Sequence, residues 1–204
     1  MSATPDPRTV IQQLYREAHG YDNDPTGEAR VAATGSSATY GEIMPTATAQ
    51  LLEHLNLRSD DSFYDLGSGI GKVVLQVAMT VPVARCVGIE LMGRRYRIAQ
   101  RMRDEVAARG LLRARECRFR RSDFMRARMK DATVIYSCST AFSSEFMERL
   151  AARLARLTAG LRWVTTQDVD DNPWFHLEDV LRLDMSWRRR SKVHVYRLKH
   201  PRSS

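Results

Sequence analysis

The sequence holds only three cysteines, Cys86, Cys117 and Cys138, and no two stand at C-x-x-C spacing. An odd count without paired spacing excludes a disulfide framework and a cysteine-based zinc site, and no metal site is expected. Cys86 and Cys117 fall in strand-like segments and read as buried thiols. No apolar run reaches the roughly 18 residues that span a bilayer. The longest, Val73 to Val83, is broken by Gln76, Thr80 and Pro82. The N-terminal MSATPDPRTV has neither a basic n-region nor an apolar h-region, so neither a secretory leader nor a membrane partner is expected. No internal repeat or low-complexity segment is present. These absences leave a soluble intracellular protein, cytoplasmic by default, with a nuclear or nucleoid-associated placement as the variant.

Lysine is scarce as well, 4 residues against 28 arginines. The formal charge of +8 is unevenly spread: between Arg94 and Lys130, fourteen basic residues face four acidic ones, so this window carries +10 and the remainder −2. A second cluster, Arg188, Arg189, Arg190 and Lys192, lies near the C-terminus. Such patches read either as an electrostatic footprint for nucleic acid or an acidic partner, or as the solvated surface of an arginine-biased protein. Both readings stay open.

A chain of 204 residues with 43% hydrophobic content has room for one globular domain and a short extension. A helical extension is expected over 1–39, holding one amphipathic helix from Pro7 to His19 and then a polar, glycine-bearing stretch from Gly20 to Ser37. The main domain is expected over 40–200. Its first helix begins near Pro45, a first-turn position that suits proline, with Leu51, Leu52 and Leu55 on the apolar face. From Phe63 onward short apolar strands alternate with helical patterns, as in a mostly parallel sheet. The strands are Phe63–Leu66, Cys86–Ile89, Cys117–Arg120, Thr133–Ser137 and Leu161–Thr166. Between them lie helices at Lys72–Thr80, Arg94–Arg109 and Ser144–Leu157. Two late strands, Leu183–Trp187 and Val193–Leu198, predict an antiparallel hairpin.

The strongest local pattern is FYDLGSGIGKVVLQVA, residues 63 to 78. It reads strand, glycine-rich turn, helix, with Gly67, Gly69 and Gly71 allowing close approach of a ligand to the backbone. A P-loop would need glycine where Leu66 stands and a hydroxyl where Val73 stands, so that reading fails. A dinucleotide site wants G-x-G-x-x-G, whereas the spacing here is G-x-G-x-G, two residues after Asp65. That form resembles motif I of class I methyltransferases. Glu90, ending VGIE at the tip of the next strand, can accept both hydroxyls of a ribose. Ser122-Asp123-Phe124 follows the third strand, where Asp123 can accept from an adenine amine and Phe124 can stack on the ring. Three acids at the carboxyl ends of three successive strands assign S-adenosyl-L-methionine as the cofactor. They imply a Rossmann-like α/β fold, with a seven-stranded, mostly parallel sheet and helices on both faces.

Upstream stands Tyr40-Gly41-Glu42. The series YGE, DLGSGIGKVVLQVA, GIE, SDF and VIYSCSTAF, in this order, resembles the catalytic domain of the disruptor-of-telomeric-silencing family, the histone-lysine methyltransferases without a SET fold. The resemblance runs from about Tyr40 to Phe142. It implies that Tyr40, Gly41 and Glu42 close over the methionine end of the cofactor. The expected cofactor set is therefore Tyr40, Gly41, Glu42, Asp65, Gly67, Ser68, Gly69, Gly71, Lys72, Glu90, Asp123 and Phe124. Where the family carries two asparagines and then Phe-Ala-Phe along its lysine channel, this chain has Cys138-Ser139-Thr140-Ala141-Phe142, so only Ala141 and Phe142 persist. Tyr40, Cys138, Ser139 and Phe142 are the expected catalytic residues, with Tyr196 or Trp187 as further aromatic candidates for the channel.

Base chemistry on nucleic acid fits less well. An Asn/Asp-Pro-Pro-aromatic motif is absent after the fourth strand, and Cys138, preceded by Ser137 rather than proline, lacks the partners of a cytosine-methylating nucleophile. The expected activity is methyl transfer to a lysine of a protein, histone-like or otherwise basic; the partner is that protein substrate, free or carried on nucleic acid that Arg94–Lys130 and Arg188–Lys192 would contact. An acceptor on RNA or a small molecule, or a cofactor-binding module without turnover, stays open because the asparagine pair is replaced.

Overall fold

The computed structural model describes residues 5–20, 24–169 and 172–199. The start of the N-terminal stretch read for a leader, and 21–23 of the polar stretch, lie outside the described residues. Three helices, α1 (Pro7–Leu14), α2 (Pro25–Ala32) and α3 (Pro45–Leu55), precede the sheet. Then β1 (Ser62–Leu66), α4 (Lys72–Thr80), β2 (Arg85–Glu90), α5 (Gly93–Ala108), β3 (Cys117–Arg121) and β4 (Val134–Ser137) follow. The chain continues through α6 (Ser144–Leu154), β5 (Arg162–Thr165), β6 (Phe175–Leu183) and β7 (Ser191–Leu198). The seven strands order as β3-β2-β1-β4-β5-β7-β6, parallel from β3 to β5, with β7 antiparallel to both of its neighbours.

Alternation along the strands feeds two cores. Phe63, Val134, Tyr136, Val164 and Val195 face one side, where they pack with α1, α3, α4 and α5 through residues such as Ile11, Leu51, Leu75 and Met102. Tyr64, Ile135, Trp163 and Tyr196 face the other, against Met147, Leu150 and Leu154 of α6. Every residue of β1 and β4 is buried, so neither strand shows the polar–apolar alternation of a half-exposed one. The chain reverses from β1 into α4 and from β2 into α5 at the carboxyl edge of the sheet. The order turns there between β1 and β4, the place where open α/β sheets bind ligands.

Three elements differ from the sequence reading. Helix α1 stops at Leu14, five residues short of His19. Helix α2 lies inside the supposed polar stretch, capped by the Asp24 side chain on the Gly27 amide and started by Pro25. Its buried face is only Gly27 and Val31, too slight to show as amphipathic periodicity. The late hairpin is built from Phe175–Leu183 rather than Leu183–Trp187. Strand β6 is an edge strand with mostly solvated side chains, so no period of two marks it. Of the expected strand, Met185 keeps a single bridge to Ile43.

Candidate active site

The glycine turn between β1 and α4 holds Gly67, Gly69 and Gly71 at φ of 78°, 55° and 91°, a region where other residues are strained. Glu90 closes the turn from β2: it is 5% exposed and accepts from the Gly69 amide through Oε2 and the Met92 amide through Oε1, both at 2.8 Å. Glu90 also lines the cavity over this edge. Burial raises the Glu90 carboxyl above its ordinary range, opposed by these amides and by Arg95. Asp65, 3% exposed, is pushed up to about 8 by burial and by the nearby Glu90 charge. It therefore carries a proton at neutral pH until a cation arrives beside it.

A cavity of about 610 Å³ runs over this edge, lined by Gly67, Glu90, Asp123, Phe124 and Phe142 from the domain. Val31, Thr34 and 36–39, from the segment ahead of Tyr40, line it too. A smaller one of about 360 Å³ lies on the far side of Tyr40, lined by Glu42, Asp65, Ser68, Gly69, Lys72 and Tyr136. Tyr40, Gly41, Gly67 and Cys138 wall both. Asp123 also accepts from the Met125 amide at 2.8 Å, so it stabilises its own turn while facing the cavity. The Phe124, Phe142 and Phe146 rings cluster with centroids 5.0 to 6.1 Å apart.

The Tyr40 loop is fastened at several points. The Tyr40 hydroxyl donates to Glu42 Oε1, and Lys72 Nζ donates to Glu42 Oε2 at 2.6 Å. A Cβ on Gly69 would lie 2.6 Å from the Tyr40 ring, so glycine permits this contact. Arg95, 7% exposed, sits 4.7 Å from the Tyr40 ring centroid and donates to the carbonyls of Gly20 and Ala38. Sequence reasoning placed Arg95 in a surface patch; a buried arginine on a basic helix face leaves no sequence mark. Trp187 lies against the loop from β6–β7, where a Cβ on Gly41 would meet its ring at 2.3 Å.

Three expected residues, Ser139, Gly71 and Tyr196, line neither cavity. Ser139 is fully buried. Its hydroxyl pairs with Thr165 Oγ1 at 2.6 Å and accepts from the Gln167 amide, tying β4 to β5. Gly71 packs against Phe119 and Ala99 at the start of α4. Tyr196 is fully buried with its hydroxyl on Asp168, far from a channel role. Cys138 does reach both cavities, but burial and Asp65 push its thiol up to about 12, so it is no nucleophile near neutral pH. Of the basic window, Arg103, Arg109, Arg118 and Arg126 pair with carboxylates. Arg113 and Arg120 donate to backbone carbonyls, which leaves a smaller solvent-facing set that includes Arg97, Arg101 and Arg115.

A family model described as "Histone methylation protein DOT1" matches residues 28–192. The chain belongs to the DOT1 family. Its DOT1 relatives include the Drosophila melanogaster histone-lysine N-methyltransferase, H3 lysine-79 specific, 33% identical over 141 residues, which cover 65% of this chain and 8% of that protein. The Chaetomium globosum protein of the same name is 30% identical over 147 residues, 68% of this chain and 29% of that one. The chain thus spans less than a third of these relatives. Among solved structures, an RNA methyltransferase from Salinibacter ruber in complex with S-adenosyl-L-homocysteine is 25% identical, with a TM-score of 0.58 over 78% of this chain and 93% of that one. The magnesium protoporphyrin IX methyltransferase from Synechocystis PCC 6803 is 16% identical, with a TM-score of 0.59 over 98% and 100%, and shares the fold. Both the fold and the DOT1 membership agree with the sequence reading. Among the described residues no helix is long and apolar enough to cross a membrane.

Proposed function

We propose that this chain is an S-adenosylmethionine-dependent methyltransferase that modifies a lysine of a protein substrate, histone-like or otherwise basic. The observation that carries the reading is the Glu90 carboxylate, buried, held by two amides and turned to the cavity beside the glycine turn, in a chain of the DOT1 family. The cavity walls fit the cofactor chemically. Ser68 Oγ and Tyr136 Oη are buried without an oxygen or nitrogen partner among the described residues, and Asp65 waits for a positive group. Glu90 would hold the ribose, Asp123 and Phe124 the adenine, and Asp65 the methionine ammonium.

When bound, the cofactor supplies an activated methyl on a sulfonium. The chain's own task is alignment, which can lower a barrier by roughly 7–11 kcal/mol, and presentation of an uncharged amine. A lysine with a pKa near 10.4 in water is almost wholly protonated at pH 7. Desolvation between Tyr40 and Trp187, and the positive charges around the cavities, would favour the neutral form. No side chain is placed as a general base. The relatives' names denote histone enzymes, so a nuclear or nucleoid setting is preferred to the cytoplasmic one. Nucleic-acid contact through the solvent-facing arginines of α5 and β3 would weaken with salt by about 0.9 in log–log slope per phosphate on duplex DNA.

The neighbouring RNA methyltransferase favours RNA as the second reading of the acceptor. Incubation with methyl-labelled cofactor and a cell lysate, followed by protease or nuclease, tests both. Label released by protease and retained after nuclease supports the proposal; the reverse overturns it in favour of RNA.

A further inference from the structure

Beside the acceptor end of the site lies a third cavity, of about 620 Å³, whose floor is Thr140 and Thr166 and whose rim is Arg182, Trp187, Arg188, Arg190 and Lys192. Thr140 follows Ser139 and donates to Thr166 Oγ1 at 2.9 Å, so this cavity begins two residues from Cys138, which walls the cofactor cavities. Trp187 is shared between the two regions, touching Gly41 on one side and lining this cavity on the other, and it is 43% exposed.

The turn is built at a cost. Arg182 and Lys192 stand directly opposite each other across β6 and β7, and like charges in that register destabilise a hairpin. Arg190 holds a φ of 51°, a left-handed conformation that favours glycine. The nearby carboxylate, Asp184, is used on the Arg190 amide at 2.8 Å. None of Arg182, Arg188, Arg190 and Lys192 makes an ion pair among the described residues. Four exposed cations without an ion pair line one concavity, beside a residue held at left-handed φ, and such a surface attracts an anion.

We propose that this cavity is a subsite for carboxylate side chains of the protein substrate, lying a few residues from the acceptor lysine. It rests on the protein-substrate reading above. The cations line a single concavity of the hairpin turn, whereas duplex nucleic acid presents a charge every ~1.7 Å along a rod. A lysine flanked by bases would be repelled here; one flanked by aspartates or glutamates is drawn in while the same cations keep its amine uncharged. Arg189 is exposed in the same turn but does not line the cavity, which makes it an internal control.

The test uses the full chain with two fluorescent peptides, a lysine flanked by acidic residues and the same lysine flanked by glutamine and serine, plus a single-stranded RNA oligonucleotide. Affinity is read by anisotropy and transfer by labelled cofactor. The acidic peptide is expected to bind about tenfold tighter than the neutral one. Arg188→Gln with Arg190→Gly should reduce that preference to about twofold or less, while Arg189→Gln keeps it. Glycine at 190 should also raise Tm, since it relieves the left-handed strain. Cofactor binding to each variant confirms its fold. Equal affinity for the two peptides, equal loss with Arg189→Gln, or tight RNA binding that Arg188→Gln/Arg190→Gly abolishes would overturn the proposal. Acidic preference without transfer to any peptide would uphold the subsite while rejecting lysine methylation.

Discussion

Asp65→Asn separates what the site costs the fold from what it gains on binding. The Asp65 carboxyl faces the smaller cavity and is pushed up to about 8, by burial first and the Glu90 charge second. In the unfolded chain it ionises near 3.8, so at pH 7 the folded protein holds a proton that the unfolded chain has released. At 1.36 kcal/mol per pH unit, this lowers stability at pH 7 by about 4 kcal/mol. An acid with a raised folded value binds more protons folded than unfolded between about pH 4 and 8. Stability therefore falls as pH rises through that window and levels off above it. Asparagine keeps the shape and has no proton to hold. The variant is expected to gain about 2–4 kcal/mol at pH 7 without cofactor and little at pH 4, or roughly 5–10 °C in Tm. Its cofactor affinity should fall, because the charged partner of the ammonium is gone. Calorimetric scans of both proteins at pH 5, 7 and 8 measure this, and Glu90, which burial also raises, adds to any residual slope in the variant. A wild-type Tm that stays level or climbs from pH 5 to 8, or a variant no more stable at pH 7, would refute the reasoning.

Glu90→Ala should weaken S-adenosylmethionine by about 1.5–3 kcal/mol, the scale of hydrogen bonds to a charged group, as read by titration calorimetry; unchanged affinity would show that the ribose is held elsewhere. Tyr136→Phe removes a buried hydroxyl that has no oxygen or nitrogen partner among the described residues. The cofactor-free variant should gain about 1 kcal/mol, or 2–4 °C in Tm, and a loss would mean the hydroxyl has a strong partner. Hydrogen exchange in 36–43 should slow when cofactor is added, since this loop borders both cavities; equal protection with and without it would count against a closing role for Tyr40.

The sheet from β1 to β5 was legible because β1, β2, β4 and β5 are largely buried on both faces and the strands are separated by well-punctuated segments. Gly110 and Gly160, both at positive φ, close α5 and the turn before β5 where the sequence places stops. The donor side of the site was legible for a related reason. The residues that line the cavities there are strand-end acids and turn glycines, whose positions follow from sequence spacing once the sheet is parallel. Strand β6 and helix α2 were not, since an edge strand with charged faces and a helix burying two small residues carry little hydrophobic periodicity. The acceptor side depends on tertiary contacts between distant segments. Trp187 reaches Gly41 across the hairpin, Arg95 reaches back to Gly20 and Ala38, and Ser139 is withdrawn into the β4–β5 seam by Thr165. No local pattern encodes which of these side chains faces the substrate.

The most direct test of the account is tandem mass spectrometry on a mixture of basic proteins, free and assembled on nucleic acid, after incubation with a methyl-deuterated cofactor. Deuterated methyl on lysine Nε, lost with Glu90→Ala, is the predicted result. Label confined to nucleotides, or no transfer from a protein that binds the cofactor tightly, would contradict it.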